Sequence, residues 1–377
     1  MNINIIGGII FSLVLTFSVS NVYSQSIPKK VQKGQEAWRF LKIAQNAYED
    51  KEFGTAVEYA ERSREVRKQD AKWQTYVLEN TLKKAAVRRA GDSLDRVISE
   101  LKELELTEAL AIISTHTEKL GADYFKNSYS RVIDYIPAYS HYSEADYLLG
   151  KIYRMEGEFE LAMTYMKSAY DYADNLDVPM EKYDLLYDLA SLSMDLGRKD
   201  EFEKYLLLIV KDNEYFGDSN FMRALRRIVD TDNSDSVEKF FLLYRCDNDL
   251  ALNALTELSE YYRQSGEDDK TMKCSSLASV MAITKLEKIV RQRINDYEYQ
   301  SLGDLLSKCA KYEDIVKWGN ENNIWKLFCN FAESAVSLGR IVFARDLLVI
   351  LSESEPEDYW KKYAKELHVE GVLDSQV

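Results

Sequence analysis

Side chains able to do chemistry are plentiful in this sequence, but their spacing does not assemble them. Carboxylates come in close runs, Glu156–Glu158–Glu160 and Glu267–Asp268–Asp269. Paired carboxylates can share acid–base work when other groups converge on them. Both runs instead fall where one helical stretch gives way to the next, and acidic groups are favoured in helix first turns by the helix dipole. Four cysteines, Cys246, Cys274, Cys309 and Cys329, show none of the short spacings of a zinc site. Their neighbours are mostly apolar or helical in pattern, which reads as isolated buried thiols, with disulfide pairing as the alternative for an exported chain. His116, His141 and His368 are too scattered to form a ligand cluster. There is no Gly-Lys-Ser/Thr phosphate loop, no Gly-x-Ser-x-Gly turn and no His-Glu-x-x-His. The expectation is a protein that is not an enzyme and carries no cofactor and no metal.

The elements that hold these side chains follow from composition. Of 377 residues, 49 are Lys or Arg and 63 are Asp or Glu, a formal charge of −14. A hydrophobic share of 46% supplies a sizeable core, and 30% charged residues keep the surface solvated. That mixture excludes a disordered chain, a collagen-like chain and a multi-span membrane protein. With 4 prolines and 15 glycines, the chain has too few punctuators for a many-stranded sandwich or barrel. The acidic balance argues against nucleic acid as a partner, because neutralising phosphates takes a basic face.

Residues 1–24 contain no Lys, Arg, Asp or Glu, and Ile5 to Val19 is nearly continuous apolar sequence. That run falls short of the roughly twenty residues of a bilayer span. It suits a secretory signal peptide, with small residues at Val22 and Ser24 before cleavage at Gln25. The expectation is export to the periplasm, with no transmembrane span left after signal removal. The n-region has no Lys or Arg, so membrane anchoring through an uncleaved signal is the alternative. Residues 25–36, polar and carrying Lys29, Lys30 and Lys33, read as a flexible lead-in.

From Ala37 to about Val369, apolar residues recur at three- and four-residue spacing, the signature of amphipathic helices. The breaks are short, often one Gly or Asn, so the chain reads as consecutive antiparallel helix pairs and the fold as all-α. One stretch, 143–176, orders Leu149-Gly150, Tyr153, Gly157, Phe159, Ala162 and Ala169. Gly150 lets the first helix approach its neighbour, Tyr153 fills the space one turn on, and Gly157 permits a tight turn. Ala162 and Ala169 keep the second helix thin where the two cross. This spacing resembles the tetratricopeptide repeat (TPR), whose period is about 34 residues. The same frame fits 37–70 with Ile43, Ala44, Tyr48, Phe53 and Ala56, and with Asp50-Lys51 in the turn instead of glycine. It fits 183–216 with Leu189, Ala190 and Gly197, although Phe202 stands where a small residue is expected. It fits 252–285 with Leu258, Ser259, Tyr262, Gly266 and Ala278, and 325–358 with Ala332, Gly339, Ala344 and Pro356.

The resemblance implies an α-solenoid of antiparallel hairpins with a right-handed superhelical twist. Residues 37–216 form a TPR-like helical array, and 217–377 a degenerate one. Between the framed repeats, Trp73 to Arg89, Asp92 to Glu105 and Thr107 to Lys119 are each expected as a helix. The polar cluster Asp230, Asp232, Asn233 and Asp235 marks a place where two arrays could join.

In TPR arrays the concave groove is lined from the first helix of each repeat. Carried onto this chain, the resemblance places Glu144, Tyr147, Lys151, Arg154 and Met155 from one repeat in that groove. Asp184, Tyr187, Ser191, Met194 and Asp195 come from the next. Tyrosine gives large contact area at low entropic cost and methionine adapts to varied apolar partners. Lys151 and Arg154 could receive a carboxylate or an acidic peptide segment, or could pair with Glu144, Asp184 or Glu158. Lys151 stands where chaperone-binding repeats carry asparagine, so their specificity for C-terminal peptides is not implied. Twelve of the 26 tyrosines fall between Tyr124 and Tyr187, where helix packing accounts for most of them.

The expected function is a non-enzymatic, exported scaffold or adaptor that binds another cell-envelope protein through its groove. The alternative is a structural subunit of a large periplasmic assembly. In size, signal and repeat type the chain resembles periplasmic TPR proteins of spirochaetes, including those of the collar around their flagellar motors.

Overall fold

The computed structural model of the protein describes residues 27–86, 139–211, 213, 215–230 and 236–373. Among these residues the chain forms fifteen α-helices and one short 3-10 turn, with no strand. The protein is all-α. The signal segment 1–24 and the helices expected over Asp92–Glu105 and Thr107–Lys119 lie outside the described residues.

Two compact units divide the chain, Met1–Ala145 and Asp146–Val377. In the first, α1 (Ala37–Glu49) folds back along α2 (Phe53–Ala86). Helix α1 buries Ala37, Phe40, Leu41, Ala44 and Ala47, one stripe at helical spacing. Beneath it Ala56, Ala60 and Ser63 of α2 are wholly buried, and Phe40 stacks on Tyr59 with ring centroids 6.3 Å apart. Ile43, which matches the repeat frame, is 42% exposed, because α2 sets the buried stripe of α1 and Ile43 lies off it. One expectation needs correction here. The separate helix expected from Trp73 is the continuation of α2. No Gly or Pro interrupts Asp70-Ala71-Lys72, and Ala71 is itself buried.

The second unit takes α3 (Ser143–Met155) onward from its fourth residue. It continues with α4 (Phe159–Asp171), α5 (Glu181–Asp195), α6 (Lys199–Val210), α7 (Ser219–Asp230) and α8 (Ser236–Leu243). Then follow α9 (Leu252–Gln264), α10 (Asp268–Arg293), α11 (Leu302–Cys309), α12 (Glu313–Glu321), α13 (Ile324–Ser337), α14 (Ile341–Ser354) and α15 (Asp358–Leu373). Most chain neighbours are packing neighbours: α5 lies on α6, α9 on α10, α13 on α14 and α14 on α15, while α10 also reaches α13. One hydrophobic core runs from Tyr147 to Ala364 and takes in Phe221, Leu225, Val237, Phe240 and Phe241. The apolar stripes of α7 and α8 enter the same core as the helices before and after them.

Five helix pairs share one turn. Lys51, Gly157, Gly197, Gly266 and Gly339 all have positive φ, between 63° and 82°. In each turn the next residue's N–H reaches the carbonyl five residues back: Glu52 to Ala47, Glu158 to Tyr153, Arg198 to Ser193, Glu267 to Tyr262 and Arg340 to Ala335, all at 2.7–2.9 Å. The positive-φ residue donates three residues back, as Gly157 does to Arg154 at 3.1 Å. This is a Schellman motif, which satisfies orphan carbonyls at the helix end and favours glycine at its left-handed position. All five left-handed residues stand at the same point of the repeat frame.

The crossings obey the frame too. Ala44, Gly150, Ala190, Ser259 and Ala332 occupy one equivalent position, and every one is buried. Ala56, Ala162, Phe202, Thr271 and Ala344 occupy the facing position on the second helix, again all buried. Among the described residues, no helix is long and apolar enough to cross a membrane.

Candidate functional site

The residues expected to line a groove lie on α3 and α5, and the structure links the two helices through them. Arg154 donates to Ser191 Oγ at 2.7 Å, to Asp195 Oδ2 at 2.9 Å and to Asp188 Oδ1 at 3.4 Å. Its planar fork thus spans two turns of α5, a geometry a lysine cannot reproduce. Tyr147 is 7% exposed, and its hydroxyl donates to the other oxygen of Asp188 at 2.6 Å. Burial, reinforced by that carboxylate, drives the Tyr147 phenol well above its ordinary range. Lys151 lies with its Nζ 4.2 Å from the centroid of the Tyr147 ring, a cation–π contact.

Tyr187 is committed as well. Its hydroxyl donates to Leu250 O at 3.0 Å and accepts from Ala254 N at 3.0 Å. Ala254 sits in the first turn of α9, where backbone N–H groups have no partner within the helix. Tyr187 therefore fastens α5 to the start of α9, and burial raises its pKa to about 12. The two methionines differ from the rest: Met155 is 64% exposed and Met194 43%. Of the seven residues expected in a groove, Arg154, the tyrosines and Ser191 link helices, Lys151 lies over Tyr147 of its own helix, and the methionines remain open. Arg154 pairs with Asp188 and Asp195 rather than with Glu144, Asp184 or Glu158.

A second cluster, which sequence reasoning did not single out, continues along the same kind of helix. Glu260 on α9 accepts from Arg263 at 2.9 and 3.1 Å, from Gln264 at 2.7 Å, from Lys326 at 3.1 Å and from Asn330 at 3.1 Å. Burial opposes its ionisation, but these donors outweigh it and hold its pKa down at about 2. Arg263 reaches on to Glu333 on α13 at 3.3 Å, and Glu333 accepts from Tyr363 of α15. This network joins α9, α13 and α15.

Beside it lies a hollow of about 240 Å³ between α5, α6, α9 and α13. Met194, Phe202, Tyr261 and Leu327 form much of its apolar wall, and Glu257, Gln264, Asn323 and Lys326 bring polar groups. Phe202, the wide residue at a crossing position, is buried and meets Tyr261 edge-on with centroids 5.4 Å apart. The departure from small-residue packing that is legible at residue 202 thus marks a wall of the hollow. Glu257 stands one turn before Glu260, and the protein around it, rather than a neighbouring charge, raises its pKa.

The sequence connects this chain to a relative. No family model matches it. It is 31% identical over 340 residues to a protein of Treponema pallidum (strain Nichols) whose printed name is "Uncharacterized protein". The alignment covers 89% of this chain and 90% of the other. The two are similar along nearly their whole length, and the chain belongs to the same family as that Treponema pallidum protein.

Proposed function

We propose that this protein is an exported, non-enzymatic TPR-like scaffold whose stacked hairpins present a groove to a segment of another cell-envelope protein. The observation that carries this reading is the recurrence of one turn at Lys51, Gly157, Gly197, Gly266 and Gly339, with buried crossings in the same frame. A chain built from equivalent helix pairs stacks them side by side, and such stacks present extended concave surfaces. Three of the four helices around the hollow, α5, α9 and α13, are first helices of such pairs, which supports a groove in that frame. The charge-free apolar run at 1–24 supports export to the periplasm.

A second reading has its own support. Leu242 and Leu243 are adjacent and 61% and 67% exposed, an apolar spot suited to a permanent neighbour. It makes the chain a structural subunit of a large periplasmic assembly, and kinship with a Treponema pallidum protein fits the spirochaetal setting of that resemblance.

Crosslinking in intact native cells with a tagged mature chain separates the two. One recurrent envelope protein is the outcome expected of an adaptor, and a whole assembly that of a subunit. N-terminal sequencing of the same material tests export: a start at or near Gln25 is expected, and an intact Met1 in a soluble cytoplasmic fraction would overturn it.

A further inference from the structure

Resting on the groove reading above, we propose that the hollow between α5, α6, α9 and α13 seats an arginine side chain of the partner's segment. The argument is one of unspent charge. Lys151 is held over the Tyr147 ring, Arg154 is divided between Asp188, Asp195 and Ser191, and Arg263 and Lys326 are both bonded to Glu260. Glu260 in turn takes five contacts, more than the roughly four lone-pair sites of a carboxylate. Neither these cations nor Glu260 has much left to offer a ligand.

Glu257 has. It lines the same hollow, and among the described residues it makes no hydrogen bond and no ion pair. Glu257 is exposed at the hollow, so its charge is open to an arriving cation, and charge complementarity favours a basic side chain there. An acidic segment, the expectation from Lys151 and Arg154 in the sequence, would meet Glu257 as a like charge.

Arginine suits the walls better than lysine. Its guanidinium is weakly hydrated, stacks on aromatic rings and presents a planar fork to a carboxylate. The hollow offers Tyr261 and Phe202 as aromatic wall and Met194 and Leu327 for the aliphatic stem. A stem laid along apolar surface with its charged head at a carboxylate is the ordinary way such a side chain is accommodated.

The test is saturation-transfer NMR on the full chain with N-acetyl-arginine amide, its uncharged isostere N-acetyl-citrulline amide, and N-acetyl-glutamate amide. The expected result is binding of the arginine probe at least tenfold tighter than the citrulline probe. Glu257→Gln should reduce the arginine probe to the citrulline level with unchanged circular dichroism, and Glu257→Asp should retain part of the preference. No response to the arginine probe, an equal response to citrulline, a preference for glutamate, or indifference to Glu257→Gln would each overturn the proposal. A photo-crosslinker at Met194 in intact cells tells this failure from failure of the groove reading. An adduct whose attached stretch lacks arginine refutes the seat alone, whereas absence of any adduct removes the groove itself. An adduct adjoining an arginine, and lost in Glu257→Gln, is the expected result.

Discussion

A β-carbon placed on Gly150 would lie 2.5 Å from Met166 Cγ and 3.3 Å from the carbonyl oxygen of Ala162. The first contact falls on a side chain that can shift, the second on backbone that cannot. Gly150→Leu should therefore destabilise the fold by about 1–3 kcal/mol, the usual cost of overpacking. Lys151→Glu, one residue on but half-buried at the surface, should cost less than about 1 kcal/mol, mainly the lost cation–π contact. Thermal melts of the two variants check the difference, and equal midpoints would show that the crossing tolerates a side chain at residue 150.

Lys51 holds the left-handed position that glycine fills in the other four turns. A non-glycine residue pays roughly 1–2 kcal/mol for that conformation, so Lys51→Gly should stabilise the α1–α2 hairpin by about 1 kcal/mol. Gly197→Ala should do the opposite at α5–α6, where nothing crowds the new methyl but φ is 71°. Denaturant unfolding of both variants reads the two signs.

Arg154→Glu would set a third carboxylate between Asp188 and Asp195. Partly exposed pairs of this kind contribute on the order of 1 kcal/mol, and the reversal adds repulsion, so a loss of about 1–2 kcal/mol is expected. Added salt should narrow the gap between variant and wild type. Arg154→Met, which keeps the stem, should lose less and show little salt dependence.

How much of this could be read from residues alone divides along range. The turn glycines and small crossing residues were legible because helix pairs write them at a fixed local spacing. Even the glycine-less turn at Lys51 was found by register. The partners of Arg154, Asp188 and Asp195, were not legible because they lie one repeat away, at 34 and 41 residues' remove. No helical periodicity indicates such a pairing. Ile43 shows the same limit: an apolar residue that fits the repeat frame is buried only if a neighbour covers that side, and Ile43 is 42% exposed. The hub at Glu260 was missed because charged residues on a helix face look the same in sequence whether solvated or networked.

Two glutamates should give stability opposite dependences on pH. Glu260 has its pKa lowered from 4.5 to about 2, with burial opposing and the donors of Arg263, Gln264 and Lys326 prevailing. Its contribution is present above pH 4.5 and lost as pH falls toward 2. Glu355 is 3% exposed, neither carboxylate oxygen has a hydrogen-bond partner among the described residues, and burial drives its pKa well above 4.5. Its contribution is full below pH 4.5 and declines as pH rises from there toward its raised folded pKa. Glu260→Gln should flatten the acid limb, and Glu355→Met should flatten the upper one and add about 1–3 kcal/mol at neutral pH, the typical cost of an unsatisfied buried group. Melting temperatures recorded from pH 3 to 9 test both.

Cys274, Cys309 and Cys329 stand on α10, α11 and α13, each at most 1% exposed. Burial pushes the first two thiols up to about 12 and the third well above its usual value. Alkylation needs both a thiolate and access to the sulfur, so a folded chain reacts only during the moments when a helix lifts away. The protein thus carries three intrinsic clocks, and the order in which they are labelled ranks how often α10, α11 and α13 open under native conditions.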